Sequence, residues 1–191
     1  VKTTLDYENA WQLLVATILS AQCTDKRVNI VTQTLFKKYP KVQDYLNLSQ
    51  KELEKEIKST GFYKNKSKNI LATAKLVTQN FNGKVPDTME ELITLHGVAR
   101  KTANIVLSSV YGKNNGIAVD THVTRLSQRI GISKHKNPVK IEQDLMDAAP
   151  QKDWDKLSLL LIHHGRDTCQ ARKPNCEKCI LNDICESAFK F

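Results

Sequence analysis

Apolar positions along this chain recur at helical spacing almost from end to end, and no segment reads convincingly as a strand. Residues 9–21, "NAWQLLVATILSA", are apolar on nearly every side, which predicts a helix buried at the centre of a core. Residues 49–61 open with Ser49 and Glu52 in capping-box spacing, set Leu53 and Ile57 on one face and stop at Gly61. Over 67–83, Ile70, Ala74 and Val77 share a face, and Asn82-Gly83 ends the helix. Thr88 and Glu91 repeat the capping spacing ahead of a short helix running to Leu95. Further helices are predicted over 101–112, 121–131, 139–150 and 153–165. The expectation is an all-α chain of about nine to ten helices joined by short loops. The least helical ordered segment, "GKNNGIAV", puts a boundary near Asn115. It divides the chain into domains of 1–114 and 115–191, with a cleft expected where they meet.

Charge adds a partner class to this picture. Lys and Arg number 29 against 20 Asp and Glu, a net +9. Residues 1–114 carry 17 of the bases and 10 of the acids, so the excess is concentrated in the first domain. Between Lys58 and Lys75 there are five lysines and no acid, and Phe62-Tyr63 lies on the turn inside that stretch. A basic face interleaved with aromatics favours nucleic acid, although an exposed, solvated helix face would carry the same charges. No run approaches the length of a membrane span, and the N-terminus lacks the features of a secretory leader. A cytoplasmic location without a membrane partner is therefore expected.

Four of the five cysteines fall within seventeen residues: Cys169, Cys176, Cys179 and Cys185, in C-x6-C-x2-C-x5-C spacing. A cytosolic chain with an odd cysteine count disfavours disulfides, and four thiolates in so short a loop can enclose zinc or an iron–sulfur cluster. Only one C-x-x-C knuckle is present, whereas zinc ribbons usually pair two, which tilts the choice to [4Fe–4S]. Arg172 and Lys173, between the first two ligands, could contact phosphates or compensate the thiolate charge. Cys23, at the end of the buried first helix, reads as a small core residue.

The segment "LHGVARKTA" (95–103) reads as helix, tight turn, helix. Gly97 permits a left-handed turn, and the N–H groups opening the next helix make an anion site that would hold a phosphate without reading sequence. Lys101 lies in the first turn of that helix beside Arg100, where dipole and neighbour both disfavour a second ammonium. It can serve as a phosphate contact or as an amine nucleophile. Asp120 precedes a helix and reads as its N-cap, a position that could also hold a carboxylate rigidly for proton transfer or for stabilising developing positive charge.

Together, "LHGVARKTAN…GIAVDTHV", the cysteine spacing, "LLVATILSAQCTD" and "STGFYKNKSKNI" resemble the endonuclease III family over essentially the whole chain. That resemblance implies a six-helix barrel bearing a helix-hairpin-helix, a [4Fe–4S] domain, and a monomer acting on double-stranded DNA that contains damaged bases or abasic sites. It implies a bifunctional DNA glycosylase/AP lyase of base excision repair that removes oxidised pyrimidines from a flipped-out nucleotide. Lys101 would attack C1′ and form a Schiff base, β-elimination would cut 3′ to the site, and Asp120 would assist. The hairpin's Gly97, Ala99 and Arg100 would hold the backbone. Gln22 would fill the gap left by the flipped nucleotide, Phe62 would stand at the wedge position, and Asp25 and Ser20 would line the base pocket.

The chain departs from the family pattern at His96 (usually proline), Ala99 (commonly glycine) and Phe62 (usually leucine), and the family's N-terminal helix has no counterpart before Val1. Alanine at 99 implies a helical rather than left-handed backbone, or mild strain. Two other readings compete: a monofunctional mismatch glycosylase acting on adenine or thymine, which usually lacks a lysine at position 101, and a non-catalytic DNA-binding module.

Overall fold

A computed structural model describes residues 3–190. Among them are nine α-helices and four short 3-10 turns, and no strand. The chain separates into two compact units, one ending at Lys113 and the other beginning at Asn114.

The first unit is organised around α1 (Ala10–Leu19), in which every residue after Ala10 is buried. Asn9 caps it by accepting the Gln12 N–H. Trp11 meets Tyr45 edge-on, with ring centroids 5.1 Å apart. Around α1 stand α2 (Asp25–Lys38), α4 (Tyr63–Asn80) and α6 (Arg100–Tyr111), while α3 (Gln50–Ile57) packs on α4 and the short α5 (Met89–Leu92) on α6. One continuous core joins them, from Leu13 and Leu14 through Leu53, Ile70 and Val77 to Leu107.

The capping box at α3 forms as its spacing predicts: Ser49 accepts the Glu52 N–H, and Glu52 accepts the Ser49 N–H. The Ser49 hydroxyl, and then its N–H, hold the Glu52 carboxyl below its usual range. At α5 only half of the motif forms. Thr88 accepts the Glu91 N–H, but the Glu91 carboxylate turns to the Thr88 hydroxyl rather than its backbone. This helix ends at Leu92, not Leu95, because the chain turns tightly there to bury Leu95 before the next bend. Helix α4 begins four residues earlier than the apolar stripe suggests, with Phe62 as its N-cap.

Helix α2 lies outside the set of helices predicted from the sequence, although Val28, Val31 and Leu35 stand at helical spacing. Its buried face is Val28, Val31, Thr32 and Leu35, and the threonine interrupts the stripe while bonding back to the Val28 carbonyl. Thr24, whose hydroxyl accepts the Arg27 N–H, is the local signal that would have marked its start.

The second unit contains α7 (Thr121–Ile130), α8 (Pro138–Ala148) and α9 (Trp154–Asp167), the last continuing two residues past Gly165. Helix α7 packs on both others over a core of Ile117, Val119, Val123, Leu126, Ile141, Leu145 and Leu161. Asn137 and Pro138 start α8 as cap and first residue. Arg125 ties α7 to the end of α9 by donating to the Gly165 and Cys169 carbonyls at 2.9 and 3.0 Å.

Candidate active site and metal centre

In the first unit the chain turns between α5 and α6 through His96 and Gly97. Gly97 has φ +77°, and a Cβ there would lie 2.8 Å from the Asn69 side-chain nitrogen of α4. Thr73, also on α4, donates to the His96 carbonyl at 3.0 Å. The hairpin is thus braced from below, and a side chain at 96 is accommodated because the turn uses the carbonyl of that residue. Ala99 is neither helical nor strained. At φ −95° and ψ 170° it is an extended N-cap, which any residue adopts, and it offers no side-chain acceptor to the helix start. Ala99 is thus neither the helical residue nor the mildly strained one that its place in the hairpin pattern implies. Arg100 and Lys101 are the first two residues of α6. Arg100 is half-buried and Lys101 exposed, above a face buried through Ala103, Asn104, Val106 and Leu107. We expect Gly97→Ala to lower stability by about 1–2 kcal/mol, since alanine is strained at this φ and displaces Asn69. An unchanged melting temperature would contradict that bracing.

Two loops of the same unit carry other predicted residues. After α1, Ser20 is half-buried and its hydroxyl bonds back to the Thr17 carbonyl at 2.8 Å. Gln22 is exposed at φ +53°. Asp25 is the first residue of α2 and accepts a hydrogen bond from Thr4. Cys23 is half-buried against the core. Phe62 is 62% exposed at φ +47°. The lysine run is not one solvated face: Lys58, Lys64, Lys68 and Lys75 are exposed, but Lys66 is buried.

In the second unit Asp120 is the N-cap of α7, half-buried, its Oδ1 accepting the N–H groups of His122 (2.8 Å) and Val123 (2.9 Å). Capping therefore fixes the orientation of this carboxylate.

The four C-terminal cysteines all line one pocket, with Leu126, Arg129, Ile130, His164 and Leu181 among its walls. Among the described residues no three ligating side chains are gathered tightly enough to hold a single ion; the thiols stand around the pocket instead. Arg129 donates to Cys169 Sγ at 3.3 Å and to the Gln170 and Ala171 carbonyls at 2.9 Å each, and its own carbonyl accepts from Cys185 Sγ. The Leu181 N–H points at Cys179 Sγ, and His164 Nε2 lies 3.3 Å from the same sulfur. Four thiols around one space, two of them facing N–H donors, are a donor set that fits an anionic iron–sulfur group. Arg172 and Lys173 are exposed in the turn between Cys169 and Cys176.

Comparison with known proteins converges on one family. Residues 15–151 match the model of the HhH-GPD superfamily of base excision DNA repair proteins. Residues 169–185, which begin and end on ligand cysteines, match the iron-sulfur binding domain of endonuclease III. Endonuclease III of Synechocystis sp. is 53% identical over 96% of this chain and 84% of its own length. That of Bacillus subtilis is 46% identical over 97% and 85%. The chain belongs to the endonuclease III family. A solved structure of a trapped endonuclease III–DNA covalent intermediate, an estranged-adenine complex, matches with a TM-score of 0.93 at 41% identity, covering 98% of this chain and 88% of that one.

Endonuclease III is a DNA glycosylase with AP-lyase activity in base excision repair, and membership makes this chain an enzyme of that kind with a [4Fe–4S] cofactor. No helix among the described residues is long and apolar enough to cross a membrane. The purified protein is expected to show broad visible absorption and to contain iron and sulfide in equal amounts, both lost on Cys179→Ser. Stoichiometric zinc in a colourless protein would contradict the cluster.

Proposed function

We propose that this enzyme excises oxidised pyrimidines from duplex DNA, with Lys101 as the nucleophile. Lys101 Nζ, having given up a proton, forms a bond to C1′ of an extruded nucleotide. The glycosidic C–N bond breaks and its electron pair leaves with the base, which takes up a proton. Opening of the sugar, with O4′ protonated as it leaves C1′, gives the Schiff base. Loss of a C2′ proton then expels the 3′-phosphate, and water returns the lysine. Asp120 acts as a carboxylate held by its cap bonds, assisting proton transfer and offsetting the positive charge that develops on the sugar. Cys169, Cys176, Cys179 and Cys185 ligate the cluster. Arg172 and Lys173 lie on the loop that these cysteines would hold in shape around the cluster, and these two, with the Gly97–Arg100 hairpin, contact phosphates. Gln22 and Phe62 enter the duplex at the site of extrusion, and Ser20 and Asp25 line the base pocket. The protein acts as a monomer in the cytoplasm, on the bacterial chromosome.

The observation that carries this reading is the lysine at position 101, exposed on the second residue of α6 directly behind a braced hairpin turn. A glycosylase assay over oxidised, deaminated and mismatched bases, with strand cleavage scored separately, tests it. Excision of oxidised pyrimidines coupled to cleavage is expected; excision confined to mismatched adenine or thymine, without cleavage, would favour the monofunctional reading. Binding to undamaged duplex should weaken steadily as salt rises, with a log–log slope of about −0.9 per phosphate neutralised. A flat response would contradict the phosphate contacts.

A further inference from the structure

Lys66 is a charged residue that the mechanism does not use. The residue is only 5% exposed. Its Nζ donates to two main-chain carbonyls, Leu19 and Thr60, each at 2.8 Å. These carbonyls lie 41 residues apart in the chain: one closes the last turn of α1, the other ends the 3-10 turn before α4. Through its own backbone, Lys66 also donates to the carbonyl of Phe62, the α4 cap, at 3.0 Å.

Each gripped carbonyl leads into a left-handed residue. Three residues after Leu19 comes Gln22 at φ +53°, and two residues after Thr60 comes Phe62 at φ +47°. Bulky residues seldom adopt left-handed backbone, and a strained conformation persists only where its surroundings over-determine it. Among the described residues just four non-glycine residues have positive φ, and two of them sit in the loops that Lys66 ties together. Burial lowers the Lys66 pKa from its ordinary value, with nearby Cys23 opposing, so an ammonium is kept here at a desolvation cost. An aliphatic side chain of similar length would fill the space but leave both carbonyls without this donor.

We propose that Lys66 is a positioning residue for duplex recognition, locking the Gln22 and Phe62 loops into one unit so that both side chains meet the DNA in a fixed relation. This rests on the reading that Gln22 and Phe62 enter the duplex. The lysine run of 58–75 then splits by role: its exposed members face solvent and phosphate, and the buried one holds the two loops together.

The test compares Lys66→Met, Lys66→Arg, Gln22→Ala and Phe62→Ala. Excision of one oxidised pyrimidine is measured in a fully paired duplex and in the same sequence as a single strand, where there is no partner strand to probe. The readout is the duplex-to-single-strand ratio of kcat/KM. Lys66→Met is expected to lower that ratio at least tenfold, and combining it with Phe62→Ala to add little further. Lys66→Arg, which keeps two donors, should restore the ratio at least in part and guards against a methionine variant that fails to fold. Equal losses on both substrates for Lys66→Met and Lys66→Arg, while Gln22→Ala and Phe62→Ala lower the ratio, would overturn the positioning role and leave the duplex-entry reading intact. An unchanged ratio in Gln22→Ala and Phe62→Ala would overturn that reading, and the proposal with it.

Discussion

Lys101→Ala should keep its fold and its cluster yet lose strand cleavage at abasic sites by on the order of a thousandfold or more. The lysine side chain is exposed, and the buried face of α6 begins two residues later at Ala103. Alanine is the best helix former, so the substitution is expected to change stability by no more than about 0.5 kcal/mol. Without the amine no bond can form to C1′, so neither a Schiff base nor β-elimination can occur. The hairpin turn is set by Gly97 and by the bond from Thr73 to the His96 carbonyl, so affinity for abasic-site DNA should fall only slightly. Melting temperature, visible absorption, cleavage and affinity for abasic-site DNA measured on one preparation check all four expectations. Cleavage at the wild-type rate would remove Lys101 from the chemistry.

Asp120→Asn separates charge from capping. Oδ1 receives both N–H bonds at the start of α7, and asparagine keeps an oxygen that can accept them. As an N-cap it equals aspartate, so helix stability should be preserved within a few tenths of a kcal/mol. The negative charge is lost, and with it general-base assistance, for which a fall of roughly a hundredfold or more in base excision is expected. Asp120→Ala, by contrast, also removes the cap and should cost about 1 kcal/mol of stability. Single-turnover excision and thermal unfolding of the two variants distinguish the roles. If Asp120→Asn excises like wild type, the carboxylate is a cap and nothing more.

The contrast between these two residues shows what could be read from the chain before its fold was known. Asp120 as a cap and Ser49–Glu52 as a capping box follow from side-chain chemistry within three residues, and both are found as expected. The cysteine spacing is equally local, and all four thiols come to one pocket. The readings that missed depend on contacts made elsewhere. Helix α2 hid because one position on its buried face is Thr32, whose hydroxyl is satisfied within the helix. Ala99 looked awkward because the glycine pattern suggested a special backbone, whereas the turn needs only Gly97, and the reason is Asn69 on another helix. Lys66 looked like its exposed neighbours, since nothing in "KNKSKN" tells which lysine points inward; that is decided by carbonyls at Leu19 and Thr60. Arg129 carries no local signal for the same reason, since its partners lie some forty residues further on.

Covalent chemistry at Lys101 distinguishes a glycosylase/lyase from a protein that merely docks on damaged DNA. Borohydride reduction during incubation with abasic-site duplex, followed by proteolysis and mass mapping of the crosslinked peptide, tests it most directly. The expected result is a stable protein–DNA adduct carried on Lys101 and absent from Lys101→Ala. No adduct with the wild-type protein, or an adduct mapped to another amine, would contradict it.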